Sequence, residues 1–364
     1  MLEKADALIF APLPPPVGGV ASIVAMLHQS LGNKDNVVFA SPIEKGSDFL
    51  AVVTRPLHNG IKLIKAAGRI KKGGRILFFS SASSSFFEKN LWVLLVILRG
   101  RKPSVVMVDG NFPRFWDKCP LILKKVSKFI LSNKNVELGA QSEYWRQFYR
   151  AKFPLCRIKV IGATVAKEFF DYTQLPSSST KNVTILYVGW IIQDKGIVDL
   201  LDAMAILRNA HPEVRLRLVG PLFGKESYWN GVAADRNIST QVKFLGSLSN
   251  RQSLINEFNK ASIFVFPSHF EGFPVALLEA ITMGLACVGT SVGGVPDILN
   301  HGKAGIVVSP NAPIELANAM KVLLEDNDLV EDLSKQASIR ARSVYNIHEC
   351  VESYKKLLGL RGVK

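Results

Sequence analysis

The chain is poor in cysteine, with four in 364 residues (119, 156, 287 and 350) and no CxxC pair. That is too few for a disulfide-stapled scaffold. Long apolar runs are also missing: the longest, Leu91–Leu98, has eight residues against the ~20 that cross a bilayer. Met1-Leu-Glu-Lys leads directly into a strand-like Ala7–Ala11, with no basic segment before a long apolar stretch, so no secretory signal is expected. No helix-turn-helix, zinc or RNP-like pattern is present, which argues against nucleic acid as a partner. These absences together lead us to expect a reducing, cytoplasmic setting. With 48% apolar and 21% charged residues, the chain is neither largely disordered nor fibrous. Its length predicts two domains, because single cores stop growing near ~250–300 residues.

What the chain has in excess is positive charge. It carries 45 Lys and Arg against 30 Asp and Glu, a formal net charge of +15. The excess is confined to one half: residues 1–170 hold 26 basic and 11 acidic side chains, and residues 171–364 hold 19 of each. The basic half suits an anionic partner such as nucleic acid, a membrane surface or a phosphorylated substrate.

Short apolar runs alternate with amphipathic stretches from end to end. Strands are predicted at 7–11, 37–40, 75–80, 104–109, 136–140 and 159–161, with helices at 19–31, 57–70, 84–98, 119–131 and 142–149 between them. This βαβ series with near-continuous apolar strands predicts a parallel sheet covered on both faces. A polar segment with Pro and a Ser run, 171–182, reads as a linker. Alternation then restarts, with strands at 183–188, 215–219, 242–245, 263–266, 286–289 and 305–308. Helices are predicted at 195–208, 227–235, 251–259, 275–283, 296–300 and 313–324, followed by a helical tail over 329–358. The expected architecture is α/β: two Rossmann-like domains, 1–170 and 183–345, facing each other across a cleft that holds the site. A final helix, 346–364, is able to return to the first domain.

The sharpest motif is Pro267-Ser-His-Phe-Glu-Gly-Phe-Pro-Val-Ala-Leu-Leu-Glu279. A strand ends at Pro267, a loop carries Glu271-Gly-Phe-Pro274, and a helix opens at Val275. The free amides of that first turn favour an anionic or hydroxyl-rich ligand. Glu279 lies about two turns beyond Glu271. Alone, the two glutamates would more often be a capping carboxylate and a surface side chain.

The Glu-x7-Glu spacing around Gly-Phe-Pro resembles the signature of the large retaining glycosyltransferase family often called family 4, which has the GT-B fold. The resemblance extends through Gly284–Leu299 and His301–Val308, and upstream to Leu186–Gly196 and Leu218–Pro221. Residues 183–325 are thus nearly all covered in the right order. It implies that Glu279 hydrogen-bonds the ribose of a nucleotide sugar. Glu271, with the backbone of Gly272, Phe273, Pro274 and Val275, would meet the donor sugar and position its phosphates. Lys195 would neutralise the departing diphosphate. Gly18 and Gly19 would let the backbone approach phosphate at the start of the first helix. The donor is a substrate, and no separate cofactor is implied.

Two departures from that pattern stand out. Family members usually carry Arg after the glycine at 189, where this chain has Trp190. An indole cannot balance phosphate charge. The family's first domain also commonly presents a His after its fourth or fifth strand; here Asp109 occupies about that position, as an acceptor-facing base or as a plain turn residue before Gly110. No metal site is expected, since Asp326-Asn-Asp328 follows a helix near the C-terminus and reads as a turn. His269 is a weaker candidate for a ligand or base than for a loop side chain.

Three stretches of the basic half combine cations with apolar side chains: Lys62, Lys65, Arg69 and Lys72 beside Leu57, Ile61 and Ile64; Trp92–Leu98 before Arg99, Arg101 and Lys102; and Ile122, Leu123, Val126, Phe129 and Ile130 opposite Lys124, Lys125 and Lys128. Together they point to an anionic membrane surface. The expected function is a metal-independent glycosyltransferase. It moves a sugar from a nucleotide diphosphate sugar to a lipid-linked or oligosaccharide acceptor with retention, in polysaccharide, lipopolysaccharide (O-antigen) or other glycoconjugate synthesis. It would work peripherally on the cytoplasmic face of the membrane. The rival readings are a sugar-nucleotide epimerase on the same fold, which needs more acid–base residues than the motifs supply, and a non-catalytic partner subunit.

Overall fold

The computed structural model describes residues 4–12, 19–32, 36–42, 49–108, 110–172, 183–248 and 250–360, with backbone alone at 19, 22 and 49–57. The chain divides into two compact units, Met1–Thr164 with Ile347–Lys364, and Val165–Asn346. The boundary therefore falls before the polar segment at 171–182, of which residues 173–182 lie outside the described residues.

The first unit contains strands β1 (Ala5–Phe10), β2 (Val37–Ala40), β3 (Ile70–Ser80), β4 (Lys102–Met107), β5 (Glu137–Ala140) and β6 (Arg157–Val160). Between them run helices α1 (Gly19–Leu31), α2 (Phe49–Ala67), α3 (Ser84–Leu98), α4 (Phe112–Lys118), α5 (Leu121–Leu131) and α6 (Glu143–Lys152). The strands form one parallel sheet in the order β2-β1-β3-β4-β5-β6. Alternate residues of each strand face opposite sides, and both sides are buried. Leu8, Phe10, Ile76, Phe78 and Val105 meet the side chains of α2 to α6, while Ala7, Ile9, Leu77, Phe79 and Val106 meet α1 and the C-terminal helix. Double coverage explains why these strands are almost uniformly apolar.

The second unit opens with a short α7 (Lys167–Phe170) and then alternates β7 (Thr184–Val188), α8 (Ile197–Leu207), β8 (Arg215–Val219), α9 (Glu226–Ala234), β9 (Val242–Gly246) and α10 (Arg251–Lys260). It continues with β10 (Ile263–Phe266), α11 (Val275–Thr282), β11 (Ala286–Thr290), α12 (Val295–Ile298), β12 (Ile306–Val308), α13 (Pro313–Glu325) and α14 (Asn327–Val344). This sheet is also parallel, in the order β12-β11-β10-β7-β8-β9.

The final helix, α15 (Ile347–Leu358), packs with the first unit. Cys350, Val351, Tyr354, Leu357 and Leu358 are buried against the sheet. Ser104 Oγ donates to the Leu357 carbonyl at 3.1 Å, and Lys159 Nζ to that of Lys356 at 3.1 Å. These contacts satisfy carbonyls that a helix C-terminus leaves open.

Besides the short α7, which the sequence pattern does not predict, three elements depart from the sequence expectation. The helix predicted over 57–70 runs over Phe49–Ala67 and leaves Ile70 to begin an 11-residue β3. Phe112–Lys118 is a helix of its own, started by Pro113 in its first turn. The tail predicted as one helix is two, because the Asn346 side chain donates to the carbonyls of Arg342 (2.9 Å) and Ser343 (3.3 Å) and closes α14.

Tyr354 is fully buried, yet its hydroxyl has no hydrogen-bond partner among the described residues. Removing that hydroxyl should remove a desolvation cost, whereas removing the ring opens a cavity. Tyr354→Phe is expected to leave thermal stability unchanged or raised, and Tyr354→Ala to lower it by ~3–5 kcal/mol in urea unfolding.

Candidate active site

In the second unit the chain adds β8 and β9 on one side of β7, then β10, β11 and β12 on the other. Connections therefore diverge between β7 and β10, and ligands of open α/β sheets bind beyond the strand carboxyl ends at such a point. The loops leaving those two ends carry Lys195 and Glu271.

Gly196 brings the two loops together. It has φ +69°, and a Cβ there would stand 1.9 Å from the Pro267 carbonyl oxygen, so only glycine fits. The His269 amide donates to the Asp194 carbonyl at 3.0 Å, and the His269 ring meets Asp199 Oδ2 of α8 at 2.7 Å. On this support Lys195 Nζ forms an ion pair with Glu271 Oε2 and lies 3.4 Å from the Phe270 carbonyl. Ser268 Oγ lies 3.3 Å from Glu271 Oε2 and donates to the Phe270 carbonyl at 2.9 Å. Thr290 of β11 in turn donates to the Ser268 carbonyl.

The other side of the Glu271 loop is braced by Gly293-Gly294. Gly293 has φ +52°, and its missing Cβ would sit 2.0 Å from the Glu271 carbonyl oxygen. The Gly294 amide donates to the Gly272 carbonyl at 2.9 Å. Phe273 is buried with its ring edge-on to Tyr345, centroids 5.8 Å apart, so it offers a ligand its backbone rather than its ring. Pro274 stands at the N-cap of α11, and no side chain caps the helix. The first-turn amides, starting at Val275, thus lack intrahelical partners and carry the positive end of the helix dipole.

Glu279, four residues into α11 and so ~6 Å along it, is partly buried; its backbone carbonyl accepts from the Met283 amide at 3.0 Å. Burial pushes its carboxyl up to about 8, with Arg251 opposing the shift. Arg251 is itself held by Glu168 at 2.7 Å.

Lys195, Glu271, the Gly272–Val275 backbone and Glu279 therefore lie on two adjoining loops and the helix α11 that the second of them opens, all in the second unit. Gly19 begins α1 in the first unit, whereas Gly18 and Asp109 lie outside the described residues. Trp190 is 56% exposed and pairs with Phe223 at 5.0 Å, on loops laced together by an Ile191–Leu222 bridge. Sequence reasoning missed Ser268, Thr290 and Asp199, whose only signal was their polarity beside the motif. Asp326 caps α14 by accepting from the Leu329 amide at 2.9 Å. Among the described residues no cluster of three or more His, Cys, Asp or Glu could hold a metal.

Two six-stranded parallel sheets, each flanked by helices, give this chain the GT-B fold of its solved structural neighbours. Residues 172–340 match the family described as Glycosyl transferases group 1. Glycogen synthase of Mycobacterium tuberculosis is 27% identical over 188 residues, covering 50% of this chain and 45% of that protein. The chain thus aligns with less than half the length of this relative. Two solved structures share the fold: sucrose-phosphate synthase from Thermosynechococcus elongatus (TM-score 0.77, 19% identity, covering 97% and 98% of the two chains) and Anabaena HepE in complex with UDP-glucose (TM-score 0.74, 17% identity, covering 97% and 100%).

The raised Glu279 carboxyl has a sign that can be checked. A carboxyl raised by burial to about 8 from its ordinary 4.5 makes the folded state hold the extra proton, so stability falls as pH rises through that window and levels off above it. Glu279→Gln should match the wild-type melting temperature near pH 5 and exceed it by a few degrees at pH 8.5–9. An equal gap at both pH values would contradict the burial account.

Proposed function

We propose that this protein is a family 4 glycosyltransferase that moves a sugar from a nucleotide diphosphate sugar to a lipid-linked saccharide, with retention at the anomeric carbon and without a metal. The observation that carries this reading is the Lys195–Glu271 ion pair beside the uncapped start of α11. It sets a cation and free amides together where a diphosphate would gather charge as it leaves. Glu279, neutral at pH 7 by its raised pKa, offers one O–H donor and one acceptor to the vicinal hydroxyls of a ribose. The UDP-glucose held by the HepE structure supports a donor of this class.

In the reaction, the bond between the anomeric carbon and the phosphate oxygen breaks as the acceptor hydroxyl attacks from the same face. The acceptor's proton passes to the departing phosphate, so no strong protein base is required. Lys195 and the α11 amides stabilise the developing negative charge, while Glu271 holds Lys195 and a donor-sugar hydroxyl. The exposed Trp190–Phe223 pair offers an apolar ring face where family members usually place an arginine, so phosphate binding rests on Lys195 and the helix. Gly18 and Gly19 keep the donor-phosphate role that the resemblance gives them, while Asp109, a departure from the family's His, is either an acceptor-facing group or a plain turn residue. The acceptor would be met on the cytoplasmic face of a membrane, in polysaccharide or glycoconjugate synthesis. No helix among the described residues is long and apolar enough to cross a membrane, so association would be peripheral.

The test is acceptor-dependent release of nucleoside diphosphate from a panel of UDP-, GDP- and ADP-sugars, with bacterial lipid extract as acceptor. Lys195→Ala and Glu271→Gln are each expected to lower kcat at least 10²-fold with the melting temperature little changed. Epimerised donor formed without acceptor, or no turnover with any donor that binds, would overturn the proposal in favour of the epimerase or the partner subunit.

A further inference from the structure

Helix α5 is oriented against the usual rule. Toward the core it presents Ser127, Ile130 and Leu131, and buried Ser127 accepts from the Asn90 side chain of α3 at 3.0 Å. Toward solvent it presents Leu121 (75% exposed), Ile122 (71%), Val126 (48%) and Phe129 (81%). Ile122, Val126 and Phe129 are spaced i, i+4, i+7 and form one stripe. The sequence reading grouped Ile130 with this stripe; the structure turns Ile130 inward and leaves the others out. The neighbouring α3 repeats the pattern, burying Trp92, Val93 and Val96 while exposing Leu91, Leu94 and Leu98. Single exposed apolar residues are ordinary, but two adjacent helices with such stripes form a patch that marks an interaction surface.

The same layer is ringed by cations. Lys125 and Lys128 of α5 are exposed, as are Lys62 and Lys65 of α2 and Arg99 at the end of α3. No acidic residue occurs in α5, and residues 1–170 hold the chain's whole net positive charge. A second copy of this face would bring like charges together, which argues against a symmetric dimer. An anionic lipid surface meets both demands: headgroups pair with the lysines while the apolar stripe enters the acyl boundary.

We infer that α5, with the exposed edge of α3, is an interfacial anchor that seats the first unit on anionic bilayers, with Ile122, Val126 and Phe129 as the inserted stripe. The inference gives the lipid-linked acceptor of the proposed function a physical platform, but it is tested separately from transfer. Full-length protein is co-sedimented at low salt with vesicles of phosphatidylcholine containing 30% phosphatidylglycerol, and with phosphatidylcholine alone. Wild type should pellet with the anionic vesicles only and be released by high salt. Phe129→Glu and Ile122→Glu, at exposed positions that should not disturb folding, are each expected to lower partitioning at least tenfold. Lys125→Gln should lower it ~5-fold. Donor binding, read as a nucleotide-induced thermal shift, should persist in all three variants. Failure of wild type to pellet, equal pelleting of Phe129→Glu, or a wild-type dimer in light scattering that Phe129→Glu dissolves would overturn the inference and leave the transfer reading standing. Loss of donor response with vesicle binding intact would do the reverse.

Discussion

The site depends on the close approach of two loops that leave adjacent parallel strands. Lys195 reaches Glu271 because Gly196 has no side chain where the Pro267 carbonyl stands, 1.9 Å from a built Cβ. Once that approach is made, the ion pair, the His269–Asp199 contact and the Ser268 and Thr290 hydroxyls hold the Glu271 loop on its inner side. Gly293 and Gly294 hold it on the outer side. The charge of Glu271 is balanced within this network, while the first amides of α11 remain available for an anion. On the proposed reading, a loop held in this way spends little on reorganisation as charge develops on a departing diphosphate.

Glu279 carries an ionisable group where burial opposes its charge, a cost that a packing role alone would remove by choosing glutamine or leucine. Tyr354, by contrast, buries an unpaired hydroxyl far along the chain in the first unit, and nothing in the site explains it.

Much of this was readable in the chain. The period of apolar runs predicted all twelve strands that the described residues form, because strands buried on both faces are written as continuous apolar segments. The Glu271–Glu279 segment was legible because loop, Pro274 and helix follow one another locally. What stayed hidden was set by tertiary contact. The α2 start precedes Pro56, where sequence rules discourage a helix interior. The break between α14 and α15 rests on one asparagine side chain. Helix α5 showed an apolar stripe, but periodicity cannot tell which side meets the sheet; Asn90, 37 residues earlier, decides that by claiming Ser127. The residues that brace the Glu271 loop, Asp199 on α8 and Thr290 on β11, are likewise distant in sequence and adjacent only through the order of the strands.

The most direct test of the account is a thermal-shift panel of UDP, GDP, ADP, dTDP and CMP against the wild-type protein and Glu279→Ala. The account predicts that one nucleoside diphosphate stabilises the wild type and loses at least tenfold in apparent affinity with the variant. Stabilisation of both proteins alike, or of neither by any nucleotide, would contradict a nucleotide site built on Lys195, Glu271 and the start of α11.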